Sequence, residues 1–210
     1  MDGRSPQGSG ATWKPLALLL VVAAAIHAWQ ITHTVVAARD SIGFIRFAHR
    51  LEREPLVDVL RTSLHPPLYP LTVLAVSYPA RLFFDVSDPS VMQYCAQVAS
   101  ALAGVLLVIP MFFLGWELFD RRVGFFSALM FQCLPVGSRA LADGLTEGIY
   151  MLACATALWL AVRGLRRLRP LDFALAGICT GFGYLTRPEG LELPLAILAV
   201  LLMQPAFYVL

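Results

Sequence analysis

Residues 13–41 read WKPLALLLVVAAAIHAWQITHTVVAARDS, an apolar run from Trp13 to Ala37 that closes on Arg39-Asp40-Ser41. As a helix this run is long enough to cross about 30 Å of hydrocarbon. The charges fall where such a helix leaves the membrane. Charge at a bilayer surface on an otherwise apolar chain is costly and points to chemistry or transport. Arg4 and Lys14 ahead of the run, with Ala37-Ala38 behind it, also allow a secretory signal peptide. The apolar segments that follow make an uncleaved first span the simpler reading.

Composition supports a membrane protein throughout. Of 210 residues, 58% are hydrophobic and 14% charged, and the mean hydropathy is +0.70. A soluble domain carries about 25% charged residues. The formal net charge of +2 is too small to suggest nucleic acid. No zinc-finger spacing, phosphate loop or dinucleotide fingerprint occurs. Cys95, Cys133, Cys154 and Cys179 lie far apart in apolar stretches and read as small core residues. Residues 1–12 are polar and Gly/Ser-rich, a disordered cytoplasmic N-terminus by composition. Residues 13–210 form the membrane domain.

The expected fold is all-α, a polytopic membrane helix bundle of about six spans with interfacial amphipathic helices in the first external loop. The spans fall at roughly 13–37, 89–115, 122–137, 144–163, 171–185 and 189–203. Ser87-Asp88-Pro89 opens the second with a capping residue and an N-terminal proline. Arg121 and Arg122 lie in one short loop; Arg163, Arg166, Arg167 and Arg169 lie in or beside another. With alternating spans these share a side with Arg4 and Lys14, which the positive-inside rule makes cytoplasmic. Residues 37–88, 139–147 and 186–189 then face outward.

Within the first outer segment, Phe44, Phe47, Ala48 and Leu51 follow i, i+3, i+4, i+7 spacing, and Arg46, His49, Arg50 and Arg53 fall largely off that stripe. This describes either a helix lying in the membrane interface or one packed on its neighbours with a solvated basic face. Leu71 to Phe84, interrupted by Pro79, reads as a second interfacial helix.

Four places carry candidate chemistry. Asp40 is placed to act as a general base or to help hold a metal, or else simply to cap the amphipathic helix. His65-Pro66-Pro67 presents an imidazole from a stiff extended backbone. Arg139, Asp143 and Glu147 recur every four residues and would share one helix face, either as a clamp or with Asp143 or Glu147 facing Asp40 across a cavity. Thr186-Arg187-Pro188-Glu189 reads as a capping box, with Arg187 left over and suited to a lipid phosphate.

In this order the features resemble the GT-C membrane glycosyltransferases, particularly the group of protein O-mannosyltransferases and lipid A aminoarabinose transferases. The resemblance rests on Arg39-Asp40-Ser41, on His65-Pro66-Pro67-Leu68-Tyr69-Pro70, and on the basic turn Glu117 to Gly124. Asp143 and the run Gly181 to Gly190 complete it, over roughly residues 13–203. It implies inverting transfer of a hexosyl or pentosyl group from a polyprenyl-phosphate carrier to an acceptor at the external or periplasmic face of a bacterial inner membrane. It implies Asp40 and Asp143 as catalytic acids, and His65, Tyr69, Arg139, Glu147 and Arg187 as substrate-binding residues. Membrane lipids are the other implied partner, and no nucleic acid is. Many relatives have two adjacent acids where this chain has Asp40-Ser41, so a divalent metal stays open. Relatives have more spans, so the chain reads as an N-terminal portion of a longer enzyme. A lipid or small-solute transporter or flippase, and an inactive membrane fragment, are the alternatives. Charges clustered at helix ends on one side favour the enzyme.

Overall fold

Asp88 starts the central helix. Its carboxylate accepts a 2.8 Å hydrogen bond from the Ser90 N–H, and Pro89 occupies the first helical turn, where its missing N–H costs nothing. The Ser90 hydroxyl, which also donates to this carboxylate at 2.7 Å, and then the Ser90 N–H hold the Asp88 carboxyl below its usual pKa range. The computed structural model describes residues 10–34, 38–86 and 88–207. The expectation for residues 1–12 falls largely outside them. In chain order the helices are α1 (Gly10–His33), α2 (Arg39–Arg53), α3 (Leu56–Thr62), α4 (Leu68–Ala80) and α5 (Pro89–Leu118). They continue with α6 (Arg121–Cys133), α7 (Pro135–Ala140), α8 (Glu147–Arg167), α9 (Pro170–Thr186), a 3-10 turn (Pro188–Leu191) and α10 (Glu192–Phe207). No strand occurs among the described residues. The chain is an all-α membrane helix bundle.

The six anticipated spans fall on α1, α5, α6, α8, α9 and α10, but among the described residues only three of these helices are long and apolar enough to cross a membrane. These cover Trp13–His33, Pro89–Leu118 and Glu147–Arg167. The other three are shorter, with 13 residues in α6, 17 in α9 and 16 in α10. The third span ends at Cys133 rather than near 137 because Pro135 opens the separate helix α7. The fourth begins at Glu147, later than the pattern suggested. Gly144 has φ +72°, a left-handed conformation that interrupts any continuous helix from Arg139. Arg139, Asp143 and Glu147 therefore do not share one helix face. Arg139 ends α7, Asp143 lies in the turn, and Glu147 starts α8.

Small residues set the helix spacing. Lipid offers no hydrophobic drive for one apolar helix to prefer another, so close backbone approach and dispersion contacts carry the association. A Cβ at Gly148 of α8 would sit 2.6 Å from the Ser100 carbonyl oxygen of α5, and one at Gly115 of α5 would sit 2.7 Å from Gly124 Cα of α6. At Gly104 it would meet the His27 ring of α1 at 2.8 Å. Buried Ala96, Ala99, Ala101 and Ala103 extend the small surface of α5. This central helix packs against α1, α4, α6 and α8.

The stripe on α2 is buried within the protein: Phe44, Phe47 and Ala48 are buried, and the helix packs on α4 and α5. Of the two readings of α2, the structure adopts the helix packed on its neighbours, with the basic face outward. Helix α4 starts at Leu68, earlier than Leu71, and tolerates Pro79 in its last turn. Among the cysteines Cys95 is buried, Cys154 and Cys179 are half-buried, and Cys133 is exposed. Cys133 thus departs from the expected core position because α6 ends there.

The two ends of the bundle differ chemically. At one end Glu117 of α5 pairs with Arg167 at 2.6 Å and lies 4.0 Å from Arg166, both on α8. The basic turns 121–122 and 166–169 are thereby gathered at that end. Asp40, His65, Glu147 and Arg187 gather at the other.

Candidate active site

Asp40 and Phe44 lie one turn apart on α2, and both line a cleft of about 270 Å³. The remaining wall comes from His65-Pro66, from Leu145-Thr146-Glu147 and from Thr186 to Glu189. Segments separated by more than a hundred residues therefore converge on one small space.

Asp40 is exposed and sits in the first turn of α2, where the helix dipole favours a carboxylate. It does not cap the helix: Ala38 occupies the N-cap position, without a side-chain hydrogen bond. Among the described residues no hydrogen bond or ion pair holds the Asp40 carboxylate. A free carboxylate in a cleft is available to a substrate proton.

His65 is positioned from behind. Phe44 packs its ring edge-on against the imidazole, with centroids 5.3 Å apart, and against Tyr69 at 5.1 Å. Tyr69 itself is fully buried. Its hydroxyl lies 3.0 Å from the Ala96 carbonyl, to which it donates, and 3.0 Å from Ser100 Oγ. Ser100 Oγ in turn donates to the Leu145 carbonyl at 2.7 Å. Tyr69 therefore ties α4, α5 and the turn before α8 together beneath the cleft, and does not itself line it.

Arg187 is held within the cleft by carboxylates on two sides. Its Nη1 donates to Glu147 Oε1 at 2.8 Å, its Nη2 lies 3.5 Å from Glu189 Oε1, and its guanidinium stands 5.7 Å from the centre of the Tyr150 ring. Burial works against the guanidinium charge, but Glu189 and Glu147 more than offset it and leave its pKa raised. Glu189 is held low by its own backbone N–H and then by Arg187. The capping box expected at Thr186 does not form. Thr186 ends α9 and its hydroxyl donates back to the Phe182 carbonyl at 2.8 Å, while Pro188 opens the 3-10 turn. That turn lies directly on the end of α9, since a Cβ at Gly190 would sit 2.5 Å from the Gly183 carbonyl carbon. Only glycine allows this approach, which fixes Arg187 at the bend.

The dolichyl-phosphate-mannose-protein mannosyltransferase family matches residues 65–208. The chain belongs to this family. The match covers more than half of the chain and begins at His65, so it includes Glu147 and Arg187 but not Asp40. It makes the protein a membrane glycosyltransferase of the GT-C type, mannosyltransferase-like. A comparison with curated proteins finds no match.

Besides Tyr69, which lies beneath the cleft, two residues implied by the family resemblance lie away from it. Arg139 lines a separate cavity beside Trp29, Gln30 and His33. Asp143 lines neither space; burial raises its pKa, and the Arg139 charge only partly opposes this. Phe44 and Thr146 are also cleft residues; spacing placed Phe44 on the apolar stripe of α2 and not at a site, and gave no signal for Thr146. Among the described residues no group of three or more His, Cys, Asp or Glu side chains gathers as a metal site.

Proposed function

We propose that this glycosyltransferase moves a sugar from a polyprenyl-phosphate carrier to an acceptor in the Asp40 cleft, on the external side of the membrane. The observation that carries the reading is the convergence of an unengaged carboxylate, Asp40, with the His65 imidazole and the Arg187 guanidinium. The acceptor oxygen or nitrogen attacks the anomeric carbon and gives its proton to Asp40. The bond from that carbon to the carrier phosphate breaks, and its electron pair leaves on the phosphate. Arg187 and His65 face the developing negative charge, the position where preorganised donors lower a barrier most. Attack opposite the leaving phosphate inverts the anomeric configuration. In this reading Glu147 is the second acid of the cleft, orienting Arg187 and the acceptor, while Tyr69 positions His65 through Phe44.

Native mass spectrometry of the gently purified chain tests the donor. The expected result is a co-purified polyprenyl phosphate or its sugar conjugate. Bulk phospholipid alone, across several mild detergents, would count against it. The face is tested separately. In a variant with the native cysteines replaced, Arg166→Cys should resist membrane-impermeant maleimide applied to intact cells, because Arg166 lies at the basic end with Glu117. External labelling there would move the cleft to the cytoplasmic face.

A further inference from the structure

On another side of α2 from Asp40 and Phe44 lies a second cavity, of about 840 Å³, between that helix and the start of α5. Arg46, His49, Arg50 and Arg53 line it, at i, i+3, i+4 and i+7. Among the described residues no carboxylate lines it. Arg50 is anchored by Glu54 at 2.9 Å and donates to Thr62 Oγ1 at 3.0 Å, so its charge is already half spent. Glu52 is taken by Arg81 and feels His49 and Arg53 only through space. Asp88, beside the Pro89 wall, is engaged by Ser90. Among the described residues no ion pair engages Arg46 or Arg53.

Helix α2 follows the C-terminal end of one long apolar helix, and the cavity's far wall is the N-terminus of another. A cavity at the ends of such spans lies at the depth of lipid phosphates. Besides Ser41 and Gln93, its other lining is apolar: Ile42, Ile45, Val86 and Pro89. Two unspent guanidiniums beside an apolar wall, at that depth, match an amphiphile with an anionic phosphate head.

We propose that this cavity binds the phosphate of a negatively charged phospholipid, at a site separate from the Asp40 cleft. The ligand is a bulk membrane lipid, and its glycerol and upper acyl chain lie along Ile42 and Ile45. The site holds α2 against the membrane surface while Asp40, on the same helix, faces its own cleft.

The test is native mass spectrometry of the full chain titrated with phosphatidylglycerol or phosphatidylcholine. Phosphatidylglycerol should bind about tenfold more tightly, the scale expected for one or two arginines at a lipid surface. Arg46→Gln with Arg53→Gln should erase that preference, each single change should reduce it, and Asp40→Asn should leave it intact. Equal binding of the two lipids, or a preference that survives both substitutions, overturns the proposal. Displacement of phosphatidylglycerol by millimolar inorganic phosphate would assign the site to a free ion and overturn its lipid part. Because the readout is lipid binding, a chain with no transferase activity can still pass, and an active one can still fail.

Discussion

Asp40→Asn abolishes sugar transfer while the helix bundle stays folded in membranes. The expected loss is about 10³-fold or more, within the range for removing a positioned general base. The fold should hardly notice. The carboxylate is exposed, caps nothing and accepts no hydrogen bond among the described residues. Its one structural contribution is at the N-terminus of α2, about 0.3–1 kcal/mol from the helix dipole. Circular dichroism and detergent-solubilised yield should therefore match the parent. An in vitro transfer assay on the folded variant decides the matter, and full retained activity would remove Asp40 from the mechanism. Asp40→Glu is the companion. It keeps the charge but moves the oxygens by one methylene, so it should keep the fold and recover little activity.

The sequence was most legible where one local rule decides one residue. Asp88-Pro89 caps α5 as written because a short acidic side chain before proline has few other uses. The amphipathic stripe of α2 named its buried face correctly. What spacing could not decide was where that face is buried, since lipid and protein neighbours are equally apolar. Failure came where a tertiary constraint broke a regular pattern. The four-residue period of Arg139, Asp143 and Glu147 looks helical, but Gly144 adopts φ +72° and distributes the three over a helix end, a turn and a helix start. Thr186 with Glu189 has the letters of a capping box, yet the chain uses Thr186 to finish α9. The same bend creates the site: by ending α9 there, it turns Arg187 onto Glu147, 40 residues earlier in the chain. Asp40, His65, Glu147 and Arg187 were each visible as charged or rigid positions, but their convergence depends on long-range packing. Tyr69 illustrates the opposite case. It lies in the motif, and its hydroxyl is committed to Ala96 and Ser100 inside the bundle, where its effect on the cleft passes through Phe44.

Arg187→Ala is expected to lower turnover by about 10²–10³-fold, the usual consequence of removing one preorganised donor from a developing anion. The competing account is that Arg187 is a clamp joining the end of α9 to the start of α8, and the geometry allows the two to be separated. The side chains of Arg187 and Glu147 are 33% and 29% exposed. A pair so open to solvent contributes only about 0–1 kcal/mol to stability. A hundredfold loss of turnover in a folded variant cannot arise from that alone. Glu147→Gln keeps the cation and removes its partner, so it should cost much less than Arg187→Ala. If phosphate contact is the function, the variant carrying both changes should remain as slow as Arg187→Ala, apart from the repulsion between an unpaired Glu147 and the carrier, which the second change relieves. If clamping is the function, the two single changes should cost the same, and the double no more than either. Transfer rates for the three variants, normalised to folded protein, decide between a guanidinium that holds the bend and one that holds the leaving phosphate.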